Sequence, residues 1–295
     1  MPIPITDALD TNGDAALTKA EQVRRLPTYL MLSAAAGAFI GVAVVLLVAV
    51  SGPLVAASSP WAKLVQGAVF GVALTLVVFA GAELFTGNAM VMLQGLIARR
   101  VRVLDLVAVW VASLVGNLIG SVGFAAIVHA GGTLDAGATA DKPAPGRALI
   151  ATLTAAKDHA TGPQLFWRAV LCNLLVCLAL WMATRAVTDG AKLVVLWWAL
   201  LAFIASGFEH SIANMTLFAL GVFEGSATWG MLARNLAWTV PGNIVGGGVL
   251  VGAFYAFASR PARVRTAKTM PIDVTIPSAP VIGGQTLEGA VGSVR

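Results

Sequence analysis

Apolar residues fill long stretches of this chain with few polar interruptions, and the lengths of those stretches set the first expectation. A helix rises 1.5 Å per residue, so crossing about 30 Å of hydrocarbon takes roughly 20 mainly apolar residues. Runs of that kind cover 29–50, 106–128, 162–184 and 235–259. Two further runs are too long for one span and too short for two. Between Lys63 and Arg99 lie 35 residues whose only charge is Glu83. Between Lys192 and Glu224 lie 31, interrupted only by Glu209 and His210. A continuous helix of the first length would reach about 52 Å. The pattern instead predicts one span in each region, broken in the middle. The fold class read from it is an all-α integral membrane protein with six transmembrane helices, the second and fifth broken.

The two broken runs match each other. "GAELFTGNAM" starts at Gly81 and "GFEHSIANMT" at Gly207. A shift of 126 residues carries Gly81 onto Gly207, Glu83 onto Glu209 and Asn88 onto Asn214. The same shift carries "GNLIG" (116–120) onto "GNIVG" (242–246). Two motifs agreeing at one offset point to a duplicated three-helix unit. An odd number of spans per copy makes the copies inverted in the membrane. Paired interrupted spans in corresponding halves point to a transport site, because irregular backbone at membrane depth persists only in protein or beside a watery cavity. The glycines at 116, 120, 123, 242, 246, 247 and 248 need no role beyond close helix packing.

Composition agrees with the pattern. The chain is 58% hydrophobic and 11% charged, where a soluble domain carries about 25% charged residues. Residues 1–27 are polar and lack a secretory signal; they are expected to stay as a cytoplasmic segment with a short surface helix. Residues 28–259 form the expected transmembrane channel domain. Residues 260–295, rich in Pro, Gly, Ser and Thr, are expected to be a disordered cytoplasmic tail. With six crossings, thirteen Lys and Arg residues fall on the side of the termini and six on the other. That asymmetry puts both termini in the cytoplasm, so the net charge of +5 calls for no nucleic acid partner. The external connection, about 129–162, contains a loop followed by "RALIATLTAAKDHATGP", which has room for a short helix.

Few residues here can carry chemistry. An ionisable side chain inside a span is costly and marks function by default. His210 is the one histidine placed in an apolar run, His129 and His159 lying near the external loop. A lone histidine is a poor metal site, so two readings are open: a histidine bonded within a helix interface, or one facing a pore. Its place at a break favours the pore. Thr86 offers a hydroxyl opposite it. Glu83 and Glu209 would repel an anion as free charges. They are read mainly as braces that accept backbone N–H groups freed at the breaks, with direct substrate contact as the alternative. Asn88, Asn117, Asn214 and Asn243 are read the same way. Phe70, Leu74, Leu84, Phe85 and Phe203 lie around the breaks and suit apolar constrictions or ordinary packing. Lys157 sits before the fourth span, where it raises local anion concentration or is simply a solvated charge. Cys172 and Cys177, five residues apart, are packing residues. No metal site, no cofactor and no enzyme activity is implied.

These motifs resemble the formate/nitrite transporter family over about residues 28–259. "GAELFTGNAM" is similar to the loop that interrupts the family's second span, "GFEHSIANM" to its fifth-span signature, and "FWRAVLCNLLVCLALWMA" to its fourth span. "WWALLAFIASGFEHSIANMTLFAL" and "VFGVALTLVVFAGAELFTG" are closest to the nitrite-channel branch. The resemblance implies an aquaporin-like fold assembled as a homopentamer in a bacterial-type inner membrane, with one pore per protomer. It implies passage of small monovalent anions: nitrite above all, or formate or hydrosulfide. His210 matches the family's central pore histidine, with Thr86 facing it. Lys157 and Asn173 match a vestibule pair that polarises the site. Phe70, Leu74, Leu84, Phe85 and Phe203 match the constrictions, and Asn243 a position near the pore.

The function expected is an anion channel or transporter, with lipid around it and protons as a further partner. In it His210 hydrogen-bonds or protonates the anion between apolar constrictions, where a bare charge is expensive. A neutral-solute channel of similar plan would be expected to carry paired Asn-Pro-Ala motifs, which the breaks lack. A membrane redox protein would need more histidines or a cofactor motif.

Overall fold

The computed structural model describes residues 1–139 and 142–259; the tail expected at 260–295 lies outside the described residues. The described chain is built from helices. α1 (Ile5–Gln22) is followed by α2 (Leu26–Ala56), then α3 (Ala62–Phe70) and α4 (Val72–Phe79), which meet at Gly71. After a break come α5 (Phe85–Ile97) and α6 (Val103–Ala130). A short 3-10 turn leads to α7 (Pro145–His159), α8 (Gly162–Arg185) and α9 (Asp189–Ala205). A second break separates α9 from α10 (Ser211–Phe223). α11 (Trp229–Asn243) runs into a π-helix (Ile244–Ala253) and α12 (Phe254–Ala258). α7 occupies the segment where a short external helix was expected.

Both breaks fall where the sequence puts them, and both are made the same way. α4 ends on Ala80 and α9 on Ser206, and each is followed by a glycine at positive φ: Gly81 at 78° and Gly207 at 73°. The second residue after each cap bonds back to the helix, Ala82 N–H to Val77 O at 3.0 Å and Phe208 N–H to Phe203 O at 3.2 Å. This is the glycine-terminated cap that satisfies carbonyls left open at a helix end.

The breaks divide their regions unequally. α3 and α4 together cover Ala62–Phe79, 18 residues that are long and apolar enough to cross a membrane. Leu26–Ala56, Val103–Ala130, Gly162–Arg185 and Trp229–Ala258 also qualify. The fifth expected span is instead two short pieces, α9 with 17 residues and α10 with 13. At Gly71 the indole of Trp197 takes the Ala68 carbonyl at 2.7 Å and packs against the glycine. Capturing a carbonyl in this way is a recognised cause of a helix bend.

Small residues bring the long helices together. A side chain on Gly37 or Gly120 would land on the backbone of the facing helix, at Asn117 and Ala34 respectively. Gly242 and Gly246 meet the backbone of Phe166 and Val170 in the same way. Of the glycines read as packing residues, Gly120, Gly242 and Gly246 thus set the approach of α2 to α6 and of α8 to α11 and the π-helix, whereas a side chain on Gly123 would meet nothing within 4 Å. α1 lies against α5: Asn12 donates to Gln94 at 2.8 Å, and Ala16 covers Gly95. The central core gathers Phe70, Leu74, Leu84, Phe85 and Phe203 with apolar residues of α2, α8 and α10.

Candidate functional site

The site begins with two orphaned helix starts. α5 and α10 begin inside the protein, and the first N–H groups of any helix lack an intrahelical partner. Buried without one, each would cost about 1–3 kcal/mol. Phe85 N–H donates to Asn117 Oδ1 at 2.9 Å, and Ser211 N–H donates to Asn243 Oδ1 at 3.0 Å. The amide nitrogens of the same two asparagines then hold the chain just before each helix. Asn117 Nδ2 donates to Glu83 O at 2.9 Å and Ser33 O at 2.7 Å. Asn243 Nδ2 donates to Glu209 O at 3.1 Å and Ala169 O at 2.8 Å. Both asparagines are fully buried.

This corrects the role read for the two glutamates. The backbone bracing expected of Glu83 and Glu209 belongs to Asn117 and Asn243, and the carboxylates accept from side chains. Glu83 takes Lys19 Nζ at 2.7 Å, Tyr29 OH at 3.0 Å and Asn88 Nδ2 at 3.1 Å. Glu209 takes Lys157 Nζ and Asn214 Nδ2, both at 2.7 Å. Each glutamate is thus a nearly buried anion held by one lysine and one asparagine, which keeps its charge from standing free.

The two helix starts meet at Thr86 and His210. Thr86 Oγ1 lies 3.1 Å from His210 Nε2, with Thr86 fully buried and His210 4% exposed. The other ring nitrogen, Nδ1, accepts the N–H of Ala213 at 3.1 Å, so His210 caps its own helix. A backbone N–H only donates, so Nδ1 is bare and the ring proton sits on Nε2. Nε2–H therefore donates to Thr86 Oγ1. The N-terminal ends of α5 and α10, each carrying partial positive charge, face the same point.

Asn173 and Lys157 bond different partners. Asn173 is fully buried in α8, where Nδ2 donates to Asn243 O at 2.6 Å and Thr86 O at 3.1 Å. Cys177 Sγ also reaches Thr86 O, at 3.3 Å. Asn173 and Cys177 thus fix the backbone that presents the Thr86 hydroxyl.

Two cavities adjoin the breaks, and His210 lines one of them. One, of about 230 Å³, is lined by Lys157, His210, Phe70 and Phe203 among others. The other, of about 510 Å³, is lined by Lys19, Glu83 and Leu84. No residue lines both. The walls correspond position by position at the 126-residue offset. Val77, Gly81, Glu83, Leu84, Gly87 and Asn88 line the larger cavity; Phe203, Gly207, Glu209, His210, Ala213 and Asn214 line the smaller. Buried apolar side chains beside the cavities make an apolar plug. Phe70 and Phe203 pack edge to face at 5.6 Å, and Phe203 stacks on His210 at 6.0 Å. Leu74 and Leu84 are 1% and 3% exposed beside them. Phe85 is equally buried, and neither it nor Leu74 lines either cavity.

Sequence reading missed Lys19 and Tyr29. Lys19 lies in the polar N-terminal segment and Tyr29 at the start of an apolar run, so neither stood out. The equivalence of Glu83 and Glu209 was the available signal: if one has a lysine partner, the other needs one too.

Comparisons with known proteins identify the family. Residues 6–257 match the family model described as formate/nitrite transporter. The nitrite transporter NirC of Escherichia coli is 42% identical over 233 residues, covering 77% of this chain and 82% of the relative. A solved structure of an FNT family ion channel is 37% identical with a TM-score of 0.79, covering 86% of this chain and all of that one. A pentameric formate channel with formate bound is 28% identical with a TM-score of 0.68, covering 80% and 98%. The chain belongs to the formate/nitrite transporter family.

Proposed function

We propose that the protein is a nitrite channel in which His210 and Thr86 hand a single anion between two vestibules. The observation that carries this reading is the Thr86–His210 contact, together with two cavities at the breaks whose walls correspond at one offset. The topology proposed with it is six crossings in two inverted halves, the fifth crossing being made by α9 and α10 in tandem. The excess of Lys and Arg on the side of the termini orients both termini to the cytoplasm of a bacterial-type inner membrane. The Lys157 cavity then faces outward and the Lys19 cavity inward. A homopentamer is proposed from the pentameric neighbour.

An anion that leaves water for the apolar plug loses hydration worth many kcal/mol. His210 Nε2–H and the Thr86 hydroxyl replace part of it, and the starts of α5 and α10 add favourable dipoles. His210 acts here as a hydrogen-bond donor. To give up its Nε2 proton it would have to take one up at Nδ1, and Nδ1 is engaged by Ala213. Asn173 acts by holding Thr86.

Nitrite is the favoured anion on a narrow margin, the NirC relative being 42% identical against 40% for a relative described as a probable formate transporter. Formate is the second reading, from the neighbour that binds it. Flux into proteoliposomes, with nitrite, formate, nitrate and hydrosulfide in competition, tests the assignment. Nitrite flux suppressed by His210→Asn supports it. A protein that passes none of these anions sinks the channel reading, and one that passes formate alone replaces nitrite.

A further inference from the structure

The two mouths differ in how their cations are partnered. In the cytoplasmic cavity Lys19 binds Glu83 at 2.7 Å, and Lys192 binds Asp189 at 3.1 Å. In the external cavity Lys157 is taken by Glu209 at 2.7 Å. Lys63 and Arg168 line that same external cavity, and both are exposed. Among the described residues neither side chain has a carboxylate or hydrogen-bond partner.

The internal correspondence shows that this is a difference between equivalent places. Lys63 and Gln66 correspond to Asp189 and Lys192 at the 126-residue offset. Arg168 corresponds to Leu32: the Arg168 carbonyl receives Glu209 N–H at 3.3 Å, as the Leu32 carbonyl receives Glu83 N–H at 3.2 Å. The three cytoplasmic positions therefore sum to zero charge (Asp189, Lys192, Leu32). Their external counterparts sum to +2 (Lys63, Gln66, Arg168).

We propose that Lys63 and Arg168 form a capture site for a small planar anion, a carboxylate or oxyanion, at the external mouth. The proposal rests on the reading of the chain as an anion pore and names the residues that load it. A concave wall of one charge sign concentrates counter-ions. Arg168 presents a planar fork that matches a two-oxygen anion, and Lys63 adds a point charge. The captured anion then passes Lys157, already paired, on its way to His210. The site governs entry: it sets half-saturation from outside and its dependence on salt, and among the described residues the cytoplasmic mouth has no counterpart.

Right-side-out and inside-out membrane vesicles carrying the full chain test this, with nitrite flux measured at about 20 mM and about 300 mM salt. In right-side-out vesicles Lys63→Gln with Arg168→Gln is expected to raise the low-salt KM about fivefold and to abolish its rise with salt. Inside-out vesicles are expected to change little, and Lys63→Arg with Arg168→Lys to keep the wild-type salt dependence. A double variant with unchanged KM and salt response overturns the site, as does an equal shift from both faces or failure of the charge-conserving pair. A second readout needs no transport: broadening of the 13C-formate signal by purified protein, expected to fall by half or more in the Gln pair. Wild-type vesicles that pass no anion overturn the pore reading, and the formate signal then decides the capture site alone.

Discussion

Leu84 and His210 share one backbone shape and carry opposite chemistry. Leu84 has φ −98° and ψ 121°, His210 φ −102° and ψ 113°, and each is the residue that opens a helix inside the protein. Their neighbours correspond as well: a glutamate before each, and a clamped N–H after each. The structure thus offers two equivalent positions at the plug and places a hydrogen-bond donor at one of them.

Replacing His210 by leucine therefore keeps the backbone shape of the break and removes both the donor and the cap on Ala213 N–H, a cap that Leu84 also lacks. Nitrite flux through His210→Leu is expected to fall about 10- to 100-fold, the range for losing one hydrogen bond to a charged group. His210→Asn, which restores a donor amide, is expected to lose less. Stopped-flow flux in proteoliposomes reads both, and a leucine variant within twofold of wild type would remove His210 from the mechanism.

Gly81 and Gly207 isolate a conformational cost from a packing cost. A side chain on either meets nothing within 4 Å, but both hold positive φ. Alanine at either position should cost about 1–2 kcal/mol through backbone strain alone. The melting temperature in detergent is expected to drop by a few degrees. Asparagine, which tolerates this region, should cost less than alanine. Equal losses for the two would show that something other than φ is limiting.

Asn117→Ala and Asn243→Ala should be among the most destabilising single changes. Each removes one acceptor and two donor contacts in a fully buried site. Roughly 2–4 kcal/mol is expected, given about 1–3 kcal/mol for a buried group left unpaired. Circular-dichroism melts of both variants check this. A loss confined to one of them would show that the two clamps do not bear equal weight.

Breaking the Lys157–Glu209 pair should hurt more than removing it. The Glu209 side chain is 4% exposed, so Lys157→Met strands a buried carboxylate. Lys157→Met combined with Glu209→Gln is expected to recover part of the lost stability in the same melts. A double variant as unstable as the sum of the singles would show no coupling between them.

The breaks were legible because they are written twice. Glycine, glutamate and asparagine recur 126 residues apart, and those residue types have specific uses: left-handed backbone, a paired charge, a clamp. The placement of His210 was legible from the cost of an ionisable group in an apolar run. The division of labour inside the clamps was not. A glutamate and an asparagine near a broken helix can each accept an N–H, and the choice depends on angles that spacing does not encode. Lys19 was hidden for a related reason, since its partner Glu83 lies 64 residues away. The π-helix at Ile244–Ala253 was illegible as well. The matching stretch of α6 is ordinary α-helix, and the run of three glycines is compatible with either.

The asparagine clamps have a consequence for how the chain is made. Each clamp lies 32 residues downstream of the N–H it satisfies, Asn117 for Phe85 and Asn243 for Ser211. During synthesis, α5 and α10 therefore emerge with their first amide unanswered. At 13 residues, about 20 Å, neither can cross the bilayer by itself. They must wait, sheltered by earlier helices or by the insertion machinery, until α6 or α11 arrives. A nascent chain cut short of Asn117 or Asn243 thus leaves the first N–H of α5 or α10 without the acceptor that holds it in the finished protein.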